Sequence, residues 1–434
     1  MAATFNPMSA PKLLDALPQL VGEGLISAEQ AERIRARYAT DAAQSGNRML
    51  LVFAILGSLL VGMGIILIVA HNWDDLPHMA RTALAFAPVL LGQGLVWYAL
   101  QHKAGVASWR EGSAVLLACG LCACVALISQ IYHISGDLEG YLFLCALLIA
   151  PLLYLPGSLI VALCYLSMIT WYGWLFRLEH GNDRPWLLLL LLAAAVPFYL
   201  RQARENGNGI GFWWLSLFMA LTVGMCSQLF YTDWEIEHSL GLVALAAAFT
   251  LVPWLHHGRT LRTWPWVLVG GATMLVIFCI FSFRVVWFDD HRSVDPDLQR
   301  DLIGIVVLCL IGAATYAITL RHRKLFEAWP YPEGWWLFLI CYAVSLVSPV
   351  GASILVNLSL LAMGVLNVKH GIQRGSLRRM NLGLVILSTT LLMRFFDTDM
   401  SFVLRGLVFI AIGIGFLYMN LRMVRARNKG ANAS

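Results

Sequence analysis

Long apolar stretches constrain this chain more than any other feature of its sequence. They run for roughly 17–22 residues without the alternation of a β-strand, which is the length of a helix that crosses a bilayer. Hydrocarbon requires every backbone polar group to be paired within the chain, so helices satisfy it and open strands do not. Charged residues make up 13% of the chain, whereas a water-soluble domain carries about 25%. The sequence therefore predicts an all-α, polytopic helical bundle in a membrane.

Fourteen segments have the length and apolar character of transmembrane helices. Two pairs flank short breaks, at Leu155-Pro156-Gly157 and at Ser348-Pro349, and each pair is either a tight hairpin or one broken, re-entrant helix. Loss of one whole pair would leave the sidedness unchanged, so twelve spans is the alternative count. The predicted spans are 49–70, 80–100, 112–132, 139–155, 157–176, 186–200, 212–231, 238–255, 264–283, 301–320, 334–348, 350–368, 380–396 and 401–421.

The distribution of charge predicts that both termini lie in the cytoplasm. With that orientation, 22 of the 30 Lys and Arg residues fall in cytoplasmic segments and 16 of the 25 acidic residues fall outside. A wrong helix count would invert this bias in later loops, yet the bias holds to the end of the chain. The net charge of +5 follows mostly from this topology. We therefore expect the basic loops to meet anionic membrane lipids, and we expect no nucleic-acid partner.

The first 48 residues form the only sizeable polar segment and predict a short cytoplasmic helical hairpin. Gly22-Glu23-Gly24 breaks its first helix, and Ser27 with Gln30 has the spacing of a capping box at the start of its second. The hairpin either docks a partner or packs on the membrane surface, and the second role is favoured. The predicted organisation is 1–48 hairpin, 49–155 first membrane region, 156–421 further transmembrane helices and 422–434 basic cytoplasmic tail.

The nine cysteines all fall inside apolar segments, so they do not predict a disulfide framework. Cys119, Cys122 and Cys124 have spacings that superficially resemble a metal motif. No second ligand pair lies nearby, and small apolar residues on a membrane helix are the favoured interpretation. No cofactor or resident metal is expected.

Two loops at the predicted outer face concentrate polar side chains. Histidine nitrogens and carboxylate oxygens suit a small ligand, a proton relay or a transition metal. The favoured interpretation is turn and cap chemistry, in which Gly136-Asp137 starts a helix. The candidate residues of this outer-face site are His71, Asn72, Asp74, Asp75, His78, His133, Asp137 and Glu139.

Small and polar residues within the spans predict helix packing. Gly57, Gly62 and Gly64 allow close approach in the first span, which favours packing over a substrate cavity. The spans carry no charge at mid-depth, which argues against an ion-coupled transporter with a buried acid. Amide side chains in hydrocarbon need partners, so interhelical hydrogen bonds are favoured over substrate contacts for Gln93, Gln130 and Asn357.

Three motifs resemble a known family. They are Gly24-Leu25-Ile26-Ser27 with Glu29-Gln30, the run from Gly57 through His71-Asn72-Trp73-Asp74, and Ser129-Gln130-Ile131-Tyr132-His133-Ile134-Ser135-Gly136-Asp137. Over residues 13–155 the chain resembles the bacterial membrane-protein family known as domain of unknown function 2157. The resemblance implies a location in the bacterial inner membrane, no established activity, and other envelope membrane proteins as partners.

Three functions remain open from the sequence. A non-enzymatic component of an envelope complex is favoured, since loops are short and catalytic groups are scarce. The alternative is a transporter or flippase for a small or lipid-linked substrate, which needs a polar cavity between helices. A membrane enzyme that uses the outer histidine and aspartate loops ranks last, because the longest outer loop, 284–300, is modest and acidic.

Overall fold

The computed structural model describes most of the central part of the chain. Among the described residues the regular secondary structure is helical, and no strand occurs there. The all-α prediction is therefore confirmed for this part of the chain. The described residues are 17, 18, 20–24, 26–32, 73, 75–155, 157–181, 183–207, 209–230, 236–252, 264–287, 296–322, 333–397, 410, 413 and 414.

Twelve described α-helices correspond one to one with the second to thirteenth predicted spans. Span 49–70 lies outside the described residues, and span 401–421 does so except for three helical residues. The helices are α1 (His78–His102), α2 (Ala107–Ile131), α3 (Leu138–Ile149), α4 (Leu159–His180), α5 (Trp186–Asn206), α6 (Ile210–Gln228), α7 (Ile236–Phe249), α8 (Trp264–Ile280), α9 (Pro296–His322), α10 (Gly334–Ser345), α11 (Pro349–Gln373) and α12 (Leu377–Asp397).

Six of these helices, α1, α2, α4, α5, α6 and α11, are long and apolar enough to cross a membrane. Shorter apolar helical stretches of 10–17 residues occur in α3 and in α7 to α10. Many large apolar side chains on the outside of the bundle are exposed, among them Leu90, Leu91 and Val347. Such an apolar surface is typical of a helical membrane protein, because lipid tails solvate apolar side chains that water solvates poorly.

The chain divides into two compact units, residues 1–81 with 428–434 and residues 82–427. In the first unit, the Ser27 amide donates to Gln30 Oε1 at 2.9 Å and the Gln30 amide donates to Ser27 Oγ at 3.2 Å. These two reciprocal bonds confirm the predicted capping box. Gly24 precedes it with a φ of 70°, a conformation that glycine adopts without strain.

The second unit contains two groups of buried side chains. The first is centred on α2 to α6 and includes Tyr165 and Tyr172 on α4. The second joins α7, α8, α10 and α11 around Phe278, Phe281 and Phe338. Phe338 lies between the other two rings, with centroid distances of 5.6 Å to Phe278 and 5.0 Å to Phe281. Aromatic packing therefore fixes α10 against α8.

The break at Leu155-Pro156-Gly157 separates two helices, α3 and α4, that fold back on each other. Helix α3 continues as a 3₁₀ turn over Ala150–Leu153, and Gly157 has a φ of 63°. Ser158 then caps α4 by accepting the Val161 amide at 3.2 Å. Helices α3 and α4 run antiparallel and pack along their length.

The break at Ser348-Pro349 also separates two helices that pack on each other, but these differ in length. Ser348 caps α11 by accepting the Gly351 amide at 3.1 Å, and Pro349 occupies the first turn of α11. Helix α10 has 12 residues whereas α11 has 25. At 1.5 Å per residue α10 rises only about 18 Å, roughly half the length of its partner.

Candidate functional site

Asp137, one of the predicted outer-face residues, caps helix α3. Its backbone is extended, and its Oδ1 accepts the Gly140 amide at 2.7 Å. A carboxylate at this position also interacts favourably with the positive end of the helix dipole. The geometry agrees with the predicted cap chemistry of Gly136-Asp137.

His133 lies in the turn that leads from α2 to α3. It is the one described non-glycine residue with a positive φ, 50°. The turn is closed by two bonds between Ser129 and Ile134, in which the Ile134 amide donates to the Ser129 carbonyl and Ser129 Oγ donates to the Ile134 carbonyl, each at 3.0 Å. The His133 side chain is exposed, so the turn uses its backbone and leaves its imidazole in contact with the surroundings.

Glu139, Glu179 and His180 form one polar cluster, here named the Glu139 cluster. Their ligand atoms all lie within 4.8 Å of one another. Glu139 lies in the first turn of α3, whereas Glu179 and His180 end α4, so the antiparallel hairpin brings them to the same end. The His180 Nδ1 lies 3.2 Å from Glu139 Oε2 and 3.3 Å from the Phe176 carbonyl, so a proton on Nδ1 faces two acceptors.

The environment of the Glu139 cluster is partly shielded from solvent. The Glu139 side chain is 12% exposed and that of His180 is 43% exposed. The His180 ring also stacks on Phe176, with centroids 4.5 Å apart. Two carboxylates and an imidazole can bind a transition metal or exchange a proton. The same groups also connect the start of α3 to the end of α4, through the 3.2 Å contact between His180 Nδ1 and Glu139 Oε2.

The remaining predicted outer-face residues divide into two groups. His71, Asn72 and Asp74 lie outside the described residues, as do Gly57, Gly62 and Gly64. Asp75 and His78 belong to the first unit and are exposed at the start of α1. Among the described candidates, only Glu139 joins the cluster. Sequence reasoning missed His180, although the charge pattern placed its neighbour Glu179 at the same face.

The opposite end of the α3/α4 hairpin is held by Glu111. Its Oε1 accepts the Leu159 amide at 2.9 Å, and its Oε2 accepts the Ile160 amide at 3.2 Å and the Ser158 hydroxyl. Glu111 is the fifth residue of α2, so a carboxylate from one helix caps another. The four amides at a helix start have no partner within the helix, and this carboxylate satisfies two of them.

Asn357 makes one hydrogen bond to another part of the bundle, as expected of an amide in a membrane helix, and one within its own helix. Its Nδ2 donates to the Ser282 carbonyl at 3.0 Å and to the Ser353 carbonyl at 2.6 Å. Ser353 Oγ donates to the same Ser282 carbonyl at 2.8 Å, and the Arg394 guanidinium donates to it as well. One carbonyl just past the end of α8 therefore joins α11 and α12.

Glu333 is a buried acid next to the start of helix α10. It is 1% exposed and directly precedes the first residue of the short helix α10. A Cβ at Gly334 would collide with Met274, near the middle of α8. The α9 residue Tyr316 lies close enough to interact electrostatically with Glu333, and its ring centroid is 6.3 Å from that of Trp335. The sequence placed Glu333 at the edge of a full-length span, but α10 starts partway along its neighbours.

Gln93 and Gln130 are both exposed on the bundle. Neither side chain makes a hydrogen bond with the described part of the chain, in contrast to Asn357. The expected interhelical bonds of these two amides are therefore not made within the described structure.

Comparison with known proteins agrees with a membrane protein and adds no activity. The comparison with curated proteins and the comparison with solved structures both found no match. Residues 18–162 of the 434 match the model of the family described as Predicted membrane protein (DUF2157), and this match confirms the resemblance that the sequence motifs indicate over that segment.

Proposed function

We propose that this chain is a non-enzymatic, multi-pass component of a protein complex in the bacterial inner membrane, with both termini in the cytoplasm. The observation that carries the proposal is the use of its polar helix-end groups as connections between helices. Glu111 caps α4 from α2, and Glu139 on α3 pairs with His180 on α4. Asp137 is engaged in the cap of α3.

Engagement of these groups supports a scaffold because a carboxylate that accepts several amides has fewer lone pairs for a substrate. Both oxygens of Glu111 are occupied by donors from the start of α4. Hydrogen-bonded connections of this kind stabilise a fixed arrangement of helices. A rigid bundle with short loops is suited to binding other membrane proteins within the bilayer.

The proposal predicts co-purification with other membrane proteins at fixed stoichiometry. The tagged full-length chain would be isolated from its native membranes in a mild detergent and analysed by native mass spectrometry. We expect a complex of constant composition that persists at increasing dilution. A chain that is recovered without any other protein from freshly solubilised native membranes would contradict the proposal.

Replacement of His180 by alanine is expected to have a small effect. Because His180 is 43% exposed, its pairing with Glu139 contributes less than about 1 kcal/mol to the free energy of unfolding. We expect thermal unfolding in detergent to shift only slightly and the co-purifying proteins to remain bound. If the His180→Ala variant keeps its fold and its co-purifying proteins but cannot replace the native chain in cells, a ligand-binding or catalytic role for the Glu139 cluster would be favoured instead.

The alternative is a transporter for a small or lipid-linked substrate, and Glu333 is the observation that favours it. A buried acid within membrane helices is a frequent feature of ion and proton pathways. Helices interrupted inside the membrane are also common at transporter binding sites. Helix α10 begins partway along its neighbours with this acid at its start.

A proton-flux measurement separates the two functions. Purified chain would be placed in lipid vesicles that contain a pH-sensitive dye, and a membrane potential would be applied. For a structural component we expect no flux above that of empty vesicles, for the native chain and for Glu333→Gln alike. A flux that the native chain supports and Glu333→Gln abolishes would favour the transporter.

A further inference from the structure

The Glu139 cluster combines three side chains of the kinds that bind transition metals. Glu139 lies in the first turn of α3, and Glu179 and His180 are the last two residues of α4. One ligand atom from each residue lies within 4.8 Å of the other two. Three ligands of a tetrahedral Zn²⁺, each about 2.0–2.2 Å from the ion, stand roughly 3.4 Å apart. Because Glu179 and His180 are exposed, rotation of their side chains can close the difference.

The Glu139 carboxylate lacks a hydrogen bond that a buried acid needs. Its Oε2 is buried and accepts no hydrogen bond from the described part of the chain, although His180 Nδ1 lies 3.2 Å away. The hydrogen-bond partner of that nitrogen is instead the carbonyl of Phe176, at 3.3 Å. A buried oxygen with no donor is unfavourable, so the site as it stands is incomplete at Oε2. A cation bound between the three side chains would complete it.

The charges around Glu139 also favour a cation. The carboxylates of Asp137 and Glu179 both act on it electrostatically, and both have its own sign. Among the described groups that act on Glu139, His180 has the opposite sign, and only when it is protonated. A divalent ion compensates more of this negative charge than one imidazolium does, and it does so with His180 neutral.

The imidazole of His180 is held as metal-ligating histidines commonly are. Its ring stacks on Phe176, with centroids 4.5 Å apart, and its Nδ1 contacts the Phe176 carbonyl. A histidine that binds a metal usually donates its other ring N–H to a carbonyl or carboxylate, which fixes the orientation of the ring. With the proton on Nδ1, the Nε2 atom of His180 carries the lone pair that a metal requires.

We propose that the Glu139 cluster is a binding site for one divalent transition-metal ion, and that Zn²⁺ is the ion its donors suit best. One imidazole nitrogen and two carboxylate oxygens form a ligand set that Zn²⁺ accepts, and three protein ligands leave a fourth position for water. The ion connects the start of α3 to the end of α4, although no metal is expected from the sequence. The proposal goes beyond the proposed function, because the ion would hold the same two helices in a component of a complex and in a transporter alike.

Metal binding by the purified chain tests this site. The full-length chain in detergent would be stripped with a chelator, freed of it, and titrated with Zn²⁺ by isothermal titration calorimetry. We expect one high-affinity ion per native chain, and an affinity at least about ten-fold lower for Glu139→Gln and for His180→Ala. His133→Asn is the matched control, because it removes an exposed imidazole outside the cluster and asparagine tolerates the φ of 50° at that position. We expect this control to bind Zn²⁺ as the native chain does.

Thermal unfolding and Co²⁺ spectra complete the test. Unfolding without metal verifies that every variant folds, and Zn²⁺ should then raise the midpoint of the native chain and of His133→Asn but not of the two cluster variants. Co²⁺ in place of Zn²⁺ should show coordination by oxygen and nitrogen, with no charge-transfer band from the nine cysteines. A native chain that binds no Zn²⁺, equal affinities of the native chain and both cluster variants, or a thiolate band with Co²⁺ would each overturn the proposal.

Discussion

Replacement of Glu111 by alanine is expected to lower the free energy of unfolding by about 3 kcal/mol. The carboxylate accepts the amides of Leu159 and Ile160 and the hydroxyl of Ser158, all at the start of α4. Hydrogen bonds to a charged group contribute about 1.5–3 kcal/mol each, and loss of a helix cap costs about 1 kcal/mol. The Ser158 side chain still caps the Val161 amide after the substitution, which limits the loss.

Two matched variants isolate this cap. Glu111→Gln keeps an acceptor oxygen but loses the charge, so we expect an intermediate destabilisation. Glu205→Ala removes the acid of an ion pair on the surface, in which the side chain of Arg201 is 60% exposed and that of Glu205 is 50% exposed. This variant should change the free energy of unfolding by less than about 0.5 kcal/mol. Unfolding would be followed by steric trapping in lipid bicelles. Equal effects of Glu111→Ala and Glu205→Ala would show that the cap between helices contributes nothing.

Replacement of Gly92 by valine is expected to destabilise the bundle by about 3 kcal/mol through overpacking. A Cβ at this position would lie 2.8 Å from the Cα and 3.1 Å from the amide nitrogen of Leu117. These are backbone atoms of α2 and cannot rotate away, so α1 and α2 must separate. Separation also opens the contact between Gly120 and Pro88, since both contacts lie on the same pair of helices.

Gly94→Val is the matched control for Gly92→Val. A Cβ at Gly94 meets nothing within 4 Å, although both glycines belong to α1 and the exchange changes helix propensity equally. We expect Gly94→Val to be neutral or slightly stabilising, as measured by thermal unfolding in detergent. Similar losses of stability for Gly92→Val and Gly94→Val would mean that the backbones of α1 and α2 are not in close contact at Gly92.

Local features of the fold could be predicted from the sequence because neighbouring residues determine them. The twelve described helices overlap predicted spans, and six of them are long and apolar enough to cross a membrane. The capping box of Ser27 and Gln30 and the cap of Asp137 were also predictable, because each joins residues three positions apart. The break at Pro156 left two alternatives, a tight hairpin and a re-entrant helix, and the packing of α3 against α4 is compatible with both.

Features that depend on packing between distant residues could not be predicted. Glu111 and Leu159 are 48 positions apart, and no pattern in the sequence relates them. His180 meets Glu139 only because α3 and α4 are antiparallel. The burial of Glu333 follows from the contact of Gly334 with Met274 and from the short length of α10, neither of which hydropathy specifies. Of the residues in the Glu139 cluster, the sequence singled out Glu139 and not Glu179 or His180.

Labelling of a cysteine introduced at either of two loops tests the central claim that alternate connections of this membrane protein face opposite compartments. Gly136 and Gly105 are exposed and open, so Gly136→Cys and Gly105→Cys are tolerated in a background without Cys119 and Cys164. A membrane-impermeant maleimide is expected to label position 136 in intact cells and position 105 only after the membrane is permeabilised. Labelling of both positions from the same side of the membrane would contradict the account.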